Sequence, residues 1–231
     1  MYRHFFKRVF DIVFSLVALI ILAIPMLIIA IVVKCTSKGP AIFKVDRVGR
    51  KGKPFKFYKF RSMKVDAPKD CAPRYLHSEE YITKVGAFLR KTSLDELPQL
   101  WCILKGDMSF IGPRPCGFSE EDLIEERMQR GAYNVRPGLT GLAQVNGRDI
   151  LASKVDKKAE LDGKYAQTIT FFGDLKILLK TIKVVLCEEG VVEGTAVIED
   201  EEMEKAENTQ AVETLEEVAV ANAKDEQEQV S

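Results

Sequence analysis

The dominant feature of the hydropathy pattern is an apolar run from Val9 to Val33, broken only by Asp11, Ser15 and Pro25. A straight helix of about 25 residues would be roughly 37 Å long, enough to cross a hydrocarbon layer of roughly 30 Å. Beyond it, Ile42 to Met63 alternates apolar and cationic residues around Gly-Arg-Lys-Gly-Lys-Pro, which predicts short strands joined by a basic turn. Residues 64 to 80 read as a loop. Helical spacing resumes over Glu79–Arg90, and again after Ser93 up to Lys105-Gly106, where a proline-rich turn follows. Glu120–Arg130 predicts a charged surface helix, Val135–Arg148 a glycine-rich irregular loop, and Ala152–Tyr165 a further helix. In Phe171–Leu186 the residues Leu175, Leu178, Leu179, Ile182, Val185 and Leu186 share one helical face, with Lys176, Lys180 and Lys183 off it. That face suits either a protein core or a membrane interface.

Charge changes the reading of the first run. Arg3, Lys7 and Arg8 precede it, and Lys34, Lys38 and Lys44 follow it. Positive flanks tend to stay on the cytoplasmic side, and here both flanks are positive. Pro25 removes an internal hydrogen bond. A segment that dips into one leaflet and returns satisfies both facts; a kinked spanning helix is the alternative. A secretory signal would have a shorter apolar core and a cleavage site.

The net charge of zero hides an asymmetry. From Glu188 to Ser231 the chain is acidic and lacks aromatic residues, so residues 1–187 are strongly basic. A basic body favours anionic partners. Basic residues interleaved with Phe55, Phe57, Tyr58 and Phe60 also suit single-stranded nucleic acid. The five cysteines are odd in number, scattered and without CxxC spacing, which argues against a zinc site or a disulfide framework. The division expected is a membrane-inserting segment over 1–38, a catalytic domain over 39–187 and an acidic tail over 188–231, whose composition predicts no fixed structure.

Candidate chemistry lies in the turns. Ser93-Leu94-Asp95-Glu96 has the form of a capping box, with Ser93 as N-cap and Glu96 three residues on. Because Pro98 is tolerated only in a first turn, Asp95 itself is the other candidate cap. In either register a helix dipole favours ionised carboxylates there. Lys59, Arg61, Arg90, Arg114, Arg136 and Arg148 lie in or near turns, and Arg114 is held between Pro113 and Pro115. The guanidinium fork matches phosphate oxygens.

Four stretches carry a resemblance: Lys7–Ser15, Lys56–Met63, Leu89–Pro115 and Arg136–Arg148. In order and without a large gap, they resemble the bacterial sugar transferases, the monotopic phosphoglycosyl transferases, in their compact form. The resemblance implies a mixed α/β, mainly helical fold with an N-terminal re-entrant helix-break-helix, a small β element and interfacial amphipathic helices. It marks Pro25 as the break in the membrane segment, although relatives often carry serine where this chain has Ile24. It implies transfer of a phosphosugar from a UDP-sugar to polyprenol phosphate with release of UMP, through a covalent intermediate on Asp95. Asp95 and Glu96 would also hold Mg²⁺, while Lys59, Arg61, Arg90, Arg114, Arg136, Gln144 and Arg148 would bind substrate. The expected setting is the cytoplasmic face of a bacterial inner membrane, on an anionic bilayer, with no nucleic acid partner; oligomeric state is not legible. The competing class is a membrane-tethered binding or scaffold protein of a polysaccharide export assembly.

Overall fold

The apolar run folds as two helices, α1 (Lys7–Ile21) and α2 (Ala23–Thr36), bent by 63° at Leu22. The structure is a computed structural model that describes residues 1–67, 78–147 and 154–187. Among the described residues no single helix is long and apolar enough to cross a membrane, but this bent pair passes the same test together. The bend lies upstream of the residue expected to cause it. Pro25 occupies the first turn of α2, and the carbonyl its ring crowds is four residues back, on Ile21, the last residue of α1. A pair bent in this way has the shape of a broken span or of a re-entrant segment.

The faces of α1 are inverted relative to a helix in water. Its buried residues are Asp11 and Ser15, whereas Val9, Phe10, Val13, Phe14 and Val17 are exposed. Asp11 accepts hydrogen bonds from the Ser109 hydroxyl and the Phe110 amide, both at 3.0 Å. Ser15 donates to the Asp11 carbonyl at 2.6 Å. Exposure peaks around the bend, at 69% for Ile20 and Ile21 and 71% for Ile24. On α2 only Val33 is buried, against Phe60 and Leu89.

The alternating segment forms an antiparallel hairpin of β1 (Ile42–Val48) and β2 (Pro54–Phe60), in register from Ile42 opposite Phe60 to Val48 opposite Pro54. Phe55 and Phe57 point into a core with Leu100, Cys102, Ile103 and Met108. Lys59 shares their face, since strand side chains alternate, and stands at the strand's end. The next helix, α3 (Lys84–Lys91), is capped by the Thr83 hydroxyl, which accepts from the Gly86 amide at 2.9 Å. It starts later than the spacing suggested, after a turn of 3₁₀ helix at Ser78–Tyr81.

Helix α4 (Gln99–Lys105) ends at Gly106, whose φ of 96° closes the helix in the left-handed conformation. The segments read as a proline-rich turn and a glycine-rich loop contain strands. β3 (Ser109–Ile111) pairs in parallel with β4 (Gly138–Thr140), a second small sheet. The two backbones touch: a Cβ on Gly138 would lie 2.1 Å from the Gly112 nitrogen, so side chains are excluded there. The connection contains α5 (Glu121–Gln129). Next come α6 (Val155–Gln167) and α7 (Phe171–Cys187).

The apolar stripe of α7 faces outward. Leu175, Leu178, Leu179 and Ile182 are 40–59% exposed, while Asp174 and Ile177 are buried. The side chains of Val185 and Leu186 and the whole acidic tail lie outside the described residues. Asp174 ties this helix to the start of the chain, accepting from the Tyr2 hydroxyl and the Lys7 ammonium at 2.7 Å each. Cys35, Cys102 and Cys116 are unpaired. The architecture is mixed α/β and mainly helical, with two small sheets rather than one.

Candidate active site

Between α3 and α4 the chain turns sharply. Ser93 adopts a left-handed conformation, φ 56°, and its side chain caps nothing. Leu94–Glu96 then form one turn of 3₁₀ helix, and α4 begins only at Gln99. The expected capping box is therefore absent. A left-handed Ser93 cannot act as an ordinary N-cap, whose backbone is extended, and Pro98 defers the α-helix. Instead the turn places Asp95 and Glu96 side by side, 4% and 8% exposed.

Two cations meet them. The Lys59 ammonium lies 2.8 Å from Glu96 Oε1 and 3.5 Å from Asp95 Oδ2. Arg114 closes its fork on Glu96, at 2.5 Å to Oε1 and 3.3 Å to Oε2. Burial alone would push the Glu96 carboxyl up, but the charges and hydrogen bonds of Arg114 and Lys59 outweigh it and hold the group well below the usual carboxylate range. Asp95 has one polar contact among the described residues, the long one to Lys59. The two adjacent carboxylates thus differ: Glu96 is saturated by cations and Asp95 is not.

Arg114 is positioned by residues the sequence did not single out. Its carbonyl accepts from Arg127 of α5 at 2.9 Å. Arg127 is 1% exposed and donates to Asp162 of α6 at 2.9 and 2.5 Å. The signal was present in the pattern. Asp162 lies on the buried face of α6 with Ala159, Gly163 and Ala166, at spacing normally held by apolar residues. Behind Arg114, the Gly112 amide donates to the Thr140 carbonyl and the Gly138 amide to the Pro113 carbonyl, both at 2.8 Å. The "IGPRP" and "RPGLTG" stretches therefore brace each other.

The remaining candidates separate. Arg61 turns away from the carboxylates and binds the Ser37 carbonyl and hydroxyl at 2.8 and 2.9 Å, fastening the end of α2. Its burial lowers the guanidinium pKa. Arg90 donates to the Ser62 hydroxyl at 3.1 Å and lies against the Met63 sulfur at 3.4 Å. Arg136 binds the Gly106 carbonyl at 2.7 Å. That is the far end of α4, a helix about 10 Å long at 1.5 Å per residue. Gln144 lies in the 3₁₀ turn Gln144–Asn146, with no hydrogen-bond partner for its buried amide among the described residues. Arg148 lies outside the described residues. Arginine also satisfies backbone carbonyls, so its presence near a turn did not distinguish the two uses.

The family model of the bacterial sugar transferases matches residues 2–188. The chain belongs to the bacterial sugar transferase family. It is 45% identical over 185 residues to a UDP-glucose:undecaprenyl-phosphate glucose-1-phosphate transferase of Klebsiella pneumoniae, covering 77% of this chain and 39% of that protein. It is 42% identical to the sugar transferase EpsL of Bacillus subtilis, over 80% of this chain and 89% of EpsL. It is 41% identical to an undecaprenyl-phosphate galactose phosphotransferase of Salmonella typhimurium, over 81% of this chain and 42% of that protein. The chain thus spans less than half the length of two of these relatives and most of the third. The Asp95–Glu96 turn, Lys59 and Arg114 all fall within the matched region.

Proposed function

We propose that this chain transfers a hexose 1-phosphate from a UDP-sugar to polyprenol phosphate, with Asp95 as the nucleophile. The observation that carries the assignment is the contrast between the two carboxylates. Glu96 is neutralised by Arg114 and Lys59, which lowers its nucleophilicity; Asp95 has a single long contact among the described residues, to Lys59, and lies beside the same cations. An Asp95 oxygen attacks the phosphorus that bears the sugar, and the bond from that phosphorus to the bridging oxygen breaks. UMP leaves with the bond's electron pair, and the phosphosugar remains on the carboxylate. An oxygen of polyprenol phosphate then attacks the same phosphorus and releases the carboxylate, giving a polyprenyl diphosphate sugar. Splitting one displacement into two lowers each barrier.

Lys59 and Arg114 are placed to turn from Glu96 toward diphosphate oxygens, where a planar fork binds bidentately. Among the described residues no group of three or more acidic, histidine or cysteine side chains forms a ready metal cage. Mg²⁺ commonly uses one or two carboxylates together with substrate phosphates, so Asp95 and Glu96 suffice as a donor set. The ion would neutralise charge on the diphosphate, and holding it at Glu96 competes with Arg114 and Lys59.

The outward apolar faces of α1, α2 and α7 support seating on a bilayer. Contiguous exposed patches of this kind mark interaction surfaces. With basic residues flanking both ends of the bent pair, the reading places the carboxylates on the cytoplasmic face of a bacterial inner membrane, where polyprenol phosphate presents its headgroup.

The test is intact-protein mass spectrometry after incubation with Mg²⁺ and a panel of UDP-hexoses, without acceptor. Wild type gains one phosphosugar and releases UMP; Asp95→Asn does neither. Turnover by Asp95→Asn removes Asp95 from the role. No UMP from any donor, with acceptor present, overturns the reaction itself.

A further inference from the structure

At the other end of α4 the structure holds a second concentration of charge. Arg3, Lys7, Arg8, Arg50, Arg136 and Asp11 line a cavity of about 160 Å³. The cations come from three separate parts of the chain: the start of α1, the turn of the β1–β2 hairpin and the approach to β4. The fold therefore brings them together at some electrostatic expense. Among the described residues, most of their hydrogen bonds go to neutral carbonyls. Arg8 binds Ile103 and Leu104 at 2.6 and 2.8 Å. Arg136 binds Gly106, and Arg50 binds Asn134 at 3.2 Å. Among the described residues, only Lys7 of these cations pairs with a carboxylate, Asp174. Asp11 is itself engaged by Ser109 and Phe110.

Five cations thus face two carboxylates. The C-terminal dipole of α4 contributes only about half a negative charge. Burial is the main cause that lowers the Arg136 pKa, with Arg8 and Arg50 adding to it and Asp11 opposing it.

We propose that this cavity binds a phosphate-class anion, separate from the Asp95–Glu96 centre. The fork of arginine favours phosphate oxygens. Size restricts the ligand further. Pockets for drug-sized ligands run to about 300–1,000 Å³, so this cavity is too small for a nucleotide sugar but admits one phosphate group. Arg3 lines the cavity, and the exposed Phe5 and Phe6 follow it in the chain. Both a bilayer phospholipid headgroup and soluble phosphate share the required chemistry. The inference does not depend on the transfer reaction.

The experiment uses the full chain in neutral detergent. Arg3→Gln/Arg50→Gln removes two exposed cations and leaves Arg8 on α4; Lys84→Gln/Lys157→Gln removes two exposed cations elsewhere. Thermal shift with inorganic phosphate should show saturable stabilisation of wild type and of the lysine variant. The arginine variant should need at least fivefold more phosphate. Native mass spectrometry of protein extracted from membranes distinguishes the source. Anionic phospholipid retained by wild type and lost from the arginine variant assigns the anion to the bilayer. A phosphate response without retained lipid assigns it to soluble phosphate. Absence of both in wild type overturns the proposal, and so does equal loss in the two double variants. UMP release, assayed in parallel, reports on the transfer reaction independently.

Discussion

Arg114 grips both oxygens of Glu96, while the neighbouring Asp95 is left, among the described residues, with one 3.5 Å contact to Lys59. The arrangement leaves Arg114 partly buried and held in one orientation. Its stiffness comes from Pro113 and Pro115 and from the Arg127 hydrogen bond to its carbonyl.

Arg114→Lys keeps the charge and loses the fork. Hydrogen bonds to charged groups contribute roughly 1.5–3 kcal/mol, so kcat/KM for UMP release should fall on the order of ten- to a hundredfold. Lys84→Gln, on an exposed surface, should leave it unchanged. Equal kinetics for Arg114→Lys and wild type would remove the fork from the mechanism.

Acid stability should report on Glu96. Its folded pKa lies below the ordinary 4.5, so its ion pairs stabilise the folded state fully above that value. The contribution is lost as pH falls from 4.5 through the folded value. Wild type should therefore lose more thermal stability than Glu96→Gln between pH 4.5 and 2.5. Parallel melting curves across that range would show that the ion pairs contribute nothing.

The Arg127–Asp162 pair separates stability from positioning. Asp162→Ala leaves a buried guanidinium uncompensated, a loss of about 3–5 kcal/mol, and the melting temperature should fall by roughly 6–20 °C. Arg127→Met/Asp162→Leu should recover most of that, since apolar replacements of buried pairs are often neutral. Turnover should stay depressed in the double variant, because the Arg114 carbonyl has lost its donor. Full recovery of kcat would make the pair purely structural.

Topology is accessible to labelling. In a cysteine-free background, Arg3→Cys and Lys38→Cys should both resist a membrane-impermeant thiol reagent in intact cells and react after lysis. Labelling of either position from outside would restore a spanning helix.

Much of this fold was legible because it follows from local periodicity. Alternation gave the β1–β2 hairpin, and the stop at Gly106 gave the end of α4. The strands β3 and β4 were not legible. Each is three residues long, sits among prolines and glycines, and exists only because the other lies beside it. The turn at Asp95–Glu96 was visible as a helix start, but the capping box was the wrong local solution: the left-handed Ser93 and Pro98 together impose a 3₁₀ turn. Of the candidate cations, Lys59 and Arg114 reach the carboxylates. Arg61 and Arg136 serve backbone carbonyls, and that choice depends on long-range packing that spacing does not encode.

The buried bond between Asp11 and Ser109 bears on how the chain is made. The partners are 98 residues apart. At about 5–20 residues per second, the ribosome delivers Ser109 roughly 5–20 s after Asp11. If the bent pair enters the bilayer as proposed, it does so with Asp11 still lacking its donors, Ser109 and Phe110, and a carboxylate is expelled from hydrocarbon. The start of α1 must then wait in the headgroup layer while the apex inserts. Its final seat forms only when the later half of the chain folds beneath it, so membrane insertion and domain folding finish as one event.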